Sequence, residues 1–218
     1  MALVLHGAAP SPFVRKVRVA LIEKGIPYEL VPVLPFPPAN ATPEFRRMSP
    51  LGKIPALSDG DFAISDSSVI CAYLERTHPA PPLYPSDARA YARALWLEEF
   101  ADSRLVEATG PAFFQRVVRK LVLQQEPDEA LVRKSLAELL PPALDYLEGQ
   151  LDGAEWLAGG RFTVADIAAA SMLQQLRHAG ETLDAGRWPH VAAFAERALA
   201  RPSFASCIAE ETRLLGLG

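Results

Sequence analysis

The uneven distribution of proline constrains the fold of this chain more than any other sequence feature. Of the 20 prolines, 14 lie in the first 85 residues and 6 in the remaining 133. Proline lacks a backbone N–H and fixes φ, so it interrupts helices and is confined to the ends or edges of strands. A composition step of this kind separates domains. The sequence therefore predicts one domain at residues 1–78, a linker at 79–86 and a second domain at 87–218.

Short strands and helices alternate in the proline-rich domain. Ser11 and Pro12 form a helix start, and Gly25 provides the stop. The Asp59-Gly60-Asp61 turn favours an antiparallel hairpin. The pattern predicts a small sheet covered by helices, in the order β-α-β and then β-β-α. Its strands are expected at 2–6, 28–33, 54–58 and 62–65, with helices from Ser11, around 44–48, and from Ser65–Ser67 to just before Pro79.

Long amphipathic segments follow from Asp87 onward, which predicts an all-helical domain. One boundary is marked by Thr163 and Asp166, whose spacing fits a capping box and assigns both residues a structural role. The helical segments are expected at 87–108, 111–125, 128–151, 163–178 and 189–212, the last one broken at Pro202.

Charge and composition exclude several classes of protein. The net charge is −4 and no run of Lys and Arg occurs, which argues against nucleic-acid binding. The longest charge-free stretches have 14 residues and contain proline, so no membrane span is expected. Cys71 and Cys207 lie far apart, and the four histidines show no ligand spacing, so neither a disulfide framework nor a metal site is expected. A cytoplasmic protein is the expectation.

The helix that begins at Ser11 carries cations where the helix dipole disfavours them. Arg15, Lys16 and Arg18 crowd its first two turns. A bound anion at the helix N-terminus, such as a thiolate, phosphate or carboxylate, would offset that charge. The alternatives are that Ser11 is only a cap and that the basic face is only solvated.

Two further segments carry candidate binding residues. Ile54-Pro55 starts a strand, and a cis bond there would turn the Ile54 backbone outward to pair with a peptide-like ligand, whereas a trans edge proline is the alternative. Asp66 and Ser67 begin a helix and have the chemistry to bind an ammonium and a carboxylate, although capping alone explains them. Lys53 is a candidate point charge for a second carboxylate, or a surface lysine.

Five motifs in register resemble the soluble glutathione transferase family across essentially the whole chain. Each motif alone is weak, but their order and spacing agree with that family. The resemblance implies a thioredoxin-like N-terminal domain followed by an all-helical C-terminal domain. The motifs are Ser11-Pro-Phe-Val-Arg-Lys-Val-Arg, Ser49-Pro-Leu-Gly-Lys-Ile-Pro-Ala-Leu, Ser65-Asp-Ser-Ser-Val-Ile-Cys-Ala-Tyr-Leu-Glu, Thr163-Val-Ala-Asp166 and Arg201-Pro-Ser-Phe.

The resemblance also implies roles for individual residues. Ser11 stands at the catalytic position and looks like the serine type, in which the hydroxyl stabilises the glutathione thiolate. Glutathione is then a co-substrate, and no tightly bound cofactor is implied. The family is usually dimeric, so a homodimer is expected. By analogy Pro55 is cis, Ile54 pairs with the cysteinyl backbone, Asp66 and Ser67 hold the γ-glutamyl end, and Lys53 holds the glycine carboxylate, with Asn40 as a second candidate there.

The resulting hypothesis is a glutathione transferase that attacks a small apolar electrophile. Phe100, Phe113 and Phe114 are candidates for an apolar wall beside that electrophile, or else fill the helical core. One alternative is a glutathione-dependent isomerase of maleyl-type acids, for which Arg15 or Arg104 would supply a cation. Another is a glutathione-binding or protein-binding member with little turnover.

Overall fold

The protein is described here by a computed structural model covering residues 3–217. The chain divides into two compact units after Leu83. The predicted first strand begins at Ala2, which lies outside the described residues; the strand is observed from Leu3.

The first unit is a four-stranded sheet with three helices, and it confirms the predicted thioredoxin-like fold. The strand order is β2-β1-β3-β4, in which β1 and β2 are parallel and the other neighbours are antiparallel. The hairpin predicted around Asp59-Gly60-Asp61 is thus confirmed. The elements are β1 (Leu3–His6), α1 (Pro12–Glu23), β2 (Tyr28–Val31), α2 (Pro43–Met48), β3 (Ala56–Asp59), β4 (Phe62–Ser65) and α3 (Ser67–Thr77).

Helix α1 packs closely against the end of β1. A Cβ atom on Gly7 would lie 2.5 Å from Cγ2 of Val14, so only glycine allows this approach. Val14, Val17 and Leu21 repeat at helical spacing and are fully buried, which stabilises the helix by removing apolar surface from water. The lack of a side chain at Gly7 therefore allows β1 and α1 to approach each other where the chain turns toward Ser11.

The second unit consists of helices, as predicted, but its first helical run is longer than expected. The break predicted between residues 108 and 111 is wrong, because the chain stays helical from Ala88 to Val122 through Pro111. Two π-helical stretches flank this region, and the Thr109 hydroxyl donates to the Leu105 carbonyl at 2.8 Å. The elements are α4 (Ala88–Phe100), α5 (Val106–Phe113), α6 (Glu129–Lys134), α7 (Leu140–Gln150), α8 (Val164–His178), α9 (Pro189–Leu199) and α10 (Pro202–Leu215), with π-helical turns at Ala101–Leu105, Phe114–Val122 and Ser135–Leu139.

Helix α8 forms the centre of the second unit. All of its residues except Arg177 are buried. Its start is held by Asp166, which accepts hydrogen bonds from the Thr163 N–H at 2.7 Å, the Thr163 hydroxyl at 2.9 Å and the Leu157 N–H at 2.8 Å. Burial raises the pKa of the Asp166 carboxyl to about 6, against the lowering effect of those hydrogen bonds. Asp166 therefore joins the preceding loop to the core helix.

The residues that the structure describes include no helix that is both long and apolar enough to cross a membrane. The same part of the chain, searched for groups of three or more His, Cys, Asp or Glu side chains, contains none placed to hold a metal ion.

Candidate functional site

The sheet brings three of the predicted binding segments to one edge. β1 ends at His6, which is paired with Ala56 at the start of β3, and Ala56 is paired with Ser65 at the end of β4. The loop to Ser11 leaves the sheet after His6, while Ile54 precedes Ala56 and Asp66 follows Ser65. Strand pairing therefore places the β1–α1 loop, the Ile54-Pro55 segment and the start of α3 side by side.

Ser11 lies at the N-cap of α1 and has an extended backbone. Its N–H donates to the Ala8 carbonyl at 3.0 Å, and its carbonyl accepts from the Arg15 N–H at 2.8 Å. Within residues 3–217 the Ser11 hydroxyl makes no capping hydrogen bond to the helix. The side chain is half-buried, so its hydroxyl is not committed to the role of a simple cap.

The cations of α1 are buried, so the expectation of a merely solvated basic face is wrong. Arg15 and Lys16 are 0% exposed, and Arg18 is 5% exposed. The Lys16 ammonium donates to the Ser68 hydroxyl at 2.8 Å, and Arg18 Nε donates to the Tyr28 hydroxyl at 3.0 Å. These side chains connect α1 to the start of α3 and to β2.

Asp66 caps helix α3 from an unusual backbone conformation. Its φ is 83°, a region that costs a non-glycine residue about 1–3 kcal/mol and that is found preferentially at functional sites. One carboxylate oxygen, Oδ1, accepts from the N–H groups of Ser68 at 3.0 Å and Val69 at 3.1 Å. The residue is exposed, whereas its neighbour Ser67 is only 4% exposed. Asp66 thus caps the helix and also presents a carboxylate to solvent.

The Ile54-Pro55 peptide bond is cis. Both residues are buried, and they lie between the exposed Lys53 and the first residue of β3. Lys53 is therefore the residue that directly precedes the cis Ile54-Pro55 pair.

Asn40 contacts the protein's own backbone. The side chain is 8% exposed and its Nδ2 donates to the Gly52 carbonyl at 3.0 Å. Its Oδ1 is buried and has no hydrogen-bond partner among the described residues. Asn40 thus holds the turn immediately before Lys53.

Sequence reasoning missed two side chains beside Lys53. Ser49 is 1% exposed and its hydroxyl bonds both the carbonyl and the N–H of Lys53. Arg46 donates to the Pro50 carbonyl at 3.0 Å. The position of Ser49, just after a short predicted helix and before a Pro-x-Gly turn, was the available signal, because serine there favours local backbone bonds.

The remaining candidates lie in the second unit. Thr163 and Asp166 form the start of α8, in the core of that unit. Phe100 packs against Tyr146 with ring centroids 4.6 Å apart, Phe113 is buried, and Phe114 is 46% exposed. Phe114 alone of the three aromatic candidates therefore presents much of its ring to solvent.

Comparison with known proteins matches this architecture to one family. Residues 5–82 match the family model described as glutathione S-transferase, N-terminal domain, and residues 109–202 match glutathione S-transferase, C-terminal domain. The chain is 37% identical to glutathione S-transferase 3 of Zea mays over 211 residues, covering 95% of this chain and 93% of the maize protein.

Other relatives have different names or bound ligands. A solved structure titled glutathione S-transferase-I bound with the ligand lactoylglutathione is 28% identical, has a TM-score of 0.86 and covers 96% of this chain and 99% of the other. FtsZ-localized protein A of Caulobacter vibrioides is 32% identical over 185 residues, covering 81% of this chain and 78% of that protein. With two domain models in register and a full-length relative at this identity, the chain belongs to the glutathione S-transferase family.

Proposed function

We propose that this protein is a glutathione transferase in which the Ser11 hydroxyl stabilises the thiolate of glutathione for attack on a small apolar electrophile. The observation that carries the proposal is the uncommitted hydroxyl of Ser11 at the start of α1, at the sheet edge where Ile54 and Asp66 also lie. Membership of the glutathione S-transferase family supports glutathione as the co-substrate.

The free energy needed to stabilise the thiolate matches what the Ser11 hydroxyl and the helix N-terminus can contribute. A thiol with an ordinary pKa near 8.5 is mostly protonated at neutral pH, and lowering that pKa by about two units requires about 2.7 kcal/mol in favour of the thiolate. A hydrogen bond to a charged group contributes about 1.5–3 kcal/mol. The helix N-terminus adds about 0.3–1 kcal/mol, since α1 leaves the N–H groups of Phe13 and Val14 without intrahelical acceptors.

The rest of the glutathione molecule would extend along the same edge of the sheet. In this proposal the Ile54 backbone pairs with the cysteinyl residue, and Asp66 and Ser67 hold the γ-glutamyl end. Lys53 holds the glycine carboxylate, while Asn40 acts through the Gly52 backbone. Support comes from the exposed ionic groups of Lys53 and Asp66, which flank Ile54 in the chain and across the sheet.

Of the three aromatic candidates for an apolar wall, Phe114 is the one that is half-exposed. Phe100 and Phe113 are packed among other side chains, so their role in the fold is better supported. The isomerase alternative gains no support, because Arg15 is fully buried and Arg104 is paired with Glu107 at 2.8 Å.

A second candidate function is favoured by one comparison. The similarity to FtsZ-localized protein A, a relative named for its localization with FtsZ, is in keeping with the alternative of a protein-binding member of the family. The two functions differ in turnover, since both would keep the glutathione-binding residues.

We also propose a homodimer in a reducing cytoplasm. Helix α4 exposes Tyr91, Leu95 and Trp96, and the first unit exposes Leu51 to 78%. Exposed apolar side chains of this size are typical of interaction surfaces. Cys71 and Cys207 are both buried and neither forms a disulfide, in keeping with a compartment that lacks disulfides. Size-exclusion chromatography with light scattering tests the dimer, which a monomer at micromolar concentration would contradict.

The experiment that tests the function is glutathione binding by calorimetry, followed by turnover with aryl halides, conjugated ketones, hydroperoxides and maleyl-type acids. A transferase consumes the apolar electrophiles, and an isomerase acts on the maleyl-type acids. Binding without turnover of any substrate would favour the protein-binding alternative. Absence of glutathione binding would overturn the proposal.

A further inference from the structure

The turn formed by residues 49–53 is held by hydrogen bonds from side chains to its backbone. The Ser49 hydroxyl donates to the Lys53 carbonyl at 2.7 Å and accepts from the Lys53 N–H at 3.1 Å. One side chain therefore fixes both backbone polar groups of the residue that carries the exposed ammonium.

Two further side chains hold the middle of the same turn. Asn40 donates to the Gly52 carbonyl at 3.0 Å, and Arg46 donates to the Pro50 carbonyl at 3.0 Å. The Arg46 guanidinium also lies against Gly52, where a Cβ atom would stand 2.6 Å from its Cζ and where φ is 65°. A larger residue at position 52 would have to displace the arginine and would also be strained.

The burial of Ser49 and Asn40 favours a turn that is ordered before any ligand arrives. Ser49 and Asn40 are 1% and 8% exposed, so their hydrogen bonds are shielded from competing water. Lys53 itself is exposed. The backbone of Lys53 is thus fixed while its ammonium remains available to solvent.

We propose that Ser49 is a positioning residue that sets the preference of this protein for a tripeptide thiol over the dipeptide γ-glutamylcysteine, by fixing the backbone from which Lys53 reaches the glycine carboxylate. The inference rests on the proposed function, which places that carboxylate at Lys53. Affinity improves when a binding group is held in its bound geometry before the ligand arrives, because less ordering is then required.

The test compares glutathione with γ-glutamylcysteine, which lacks the glycine residue. Dissociation constants are measured by calorimetry for the unmodified protein, Ser49→Ala, Lys53→Ala and the double variant. Ser49→Ala is expected to weaken glutathione binding about tenfold, as loss of a buried hydrogen-bonding group does, and γ-glutamylcysteine binding less than about twofold. In the Lys53→Ala background, the same serine substitution should change glutathione binding less than about twofold.

Thr42→Ala is the matched control. Thr42 caps the start of α2 by accepting from the Phe45 N–H at 3.2 Å, whereas Ser49 lies at the other end of the same helix. This substitution weakens the helix but leaves the bonds to Lys53, so it should not change the ratio of the two dissociation constants. Ser49→Cys, with a similar volume and a weaker donor, gives a second measurement if Ser49→Ala does not fold.

The outcomes separate this inference from the proposed function. If Lys53→Ala loses the preference for glutathione but Ser49→Ala and Ser49→Cys keep it, the positioning role of Ser49 is wrong and the ligand placement stands. If Lys53→Ala keeps the preference, the glycine carboxylate does not lie at Lys53, and both that placement and the role of Ser49 are wrong, while glutathione binding and turnover still decide the proposed function. Equal weakening of the two thiols by Ser49→Ala would show a general structural effect and overturn the inference.

Discussion

The ammonium of Lys24 lies 2.7 Å from a carboxylate oxygen of Glu75, and the lysine side chain is 1% exposed. The same ammonium donates to the carbonyl groups of His78 at 2.8 Å and Pro81 at 2.9 Å. The end of α1 is therefore attached to the end of α3 and to the segment that closes the first unit.

Lys24→Met should destabilise the protein by about 3 kcal/mol, because it leaves the partly buried Glu75 and two carbonyl groups without their cation. Chemical denaturation measures the loss. Lys53→Met is the control, since that lysine is exposed and its replacement should change the free energy of unfolding by less than about 0.5 kcal/mol. Equal effects of the two substitutions would show that the buried pair contributes no more to the free energy of unfolding than an exposed lysine does.

Ser11→Ala should lower kcat/KM by about 10- to 100-fold, the equivalent of one hydrogen bond to a charged group. Glutathione affinity should change by less than about threefold, because the other contacts to the tripeptide remain. Ser11→Thr keeps a hydroxyl and should retain most of the activity. The pKa of bound glutathione, followed by thiolate absorbance against pH, should rise in the alanine variant only. Unchanged turnover in Ser11→Ala would move the catalytic role to another group.

Asp66→Asn should separate the role of Asp66 as a helix cap from its role as a negative charge that binds the ligand ammonium. Asparagine caps helices about as well as aspartate, so the free energy of unfolding should change by less than about 0.5 kcal/mol. Glutathione binding should weaken about tenfold, because the ligand ammonium loses its anionic partner. Asp66→Ala should show both losses, with about 1 kcal/mol of destabilisation. If Asp66→Asn binds glutathione normally, the residue is a cap and nothing more.

The contribution of Asp166 to stability should fall as pH rises from about 4 to about 6. The pKa of Asp166 is raised by burial to about 6 in the folded protein, so the folded state holds a proton that the unfolded chain releases near its ordinary value of 3.8. The resulting stabilisation is complete below the unfolded pKa and is lost as pH rises through the folded pKa. Over this range it amounts to about 3 kcal/mol.

Asp166→Asn removes this titration, and denaturation midpoints measured between pH 4 and pH 7 should then show a shallower slope. The exposed Asp152→Asn is the control and should leave the slope unchanged. Because Asp166 accepts bonds from Thr163 and Leu157, the variant should also be less stable at pH 7 by about 0.5–2 kcal/mol. A selective loss of catalysis in a stable Asp166 variant would contradict its structural assignment.

Local sequence signals were sufficient for the order of elements in the first unit. The Asp59-Gly60 pair marks the β3–β4 hairpin, and Pro12 marks the first turn of α1, because both residue types fix the backbone over a few positions. Contacts between distant residues were not accessible in this way. The burial of Lys16 depends on Ser68, 52 residues away, and the bond from Asn40 to Gly52 depends on the path of the intervening loop.

The continuity of the long helix through Pro111 is a second feature that local sequence does not predict. Proline usually ends or bends a helix, so sequence favours a break there. The observed helix continues with the neighbouring Ala108, Thr109 and Ala112 fully buried in the second unit. Packing of these small side chains outweighs the loss of one backbone donor, an effect that depends on other helices and not on the local sequence.

The Asp59-Gly60-Asp61 turn lies at the end of β3 and β4 that is remote from the proposed glutathione site, but it affects that site through the strand register. β3 and β4 have only four residues each, and the turn sets which residue of one lies opposite which residue of the other. An insertion of one residue there would shift Ser65 relative to Ala56 and reverse the faces on which the side chains of β4 point. The start of α3 would then be misaligned with the Ile54 segment, so the length of this surface turn is constrained by function although its residues lie at the opposite end of the strands.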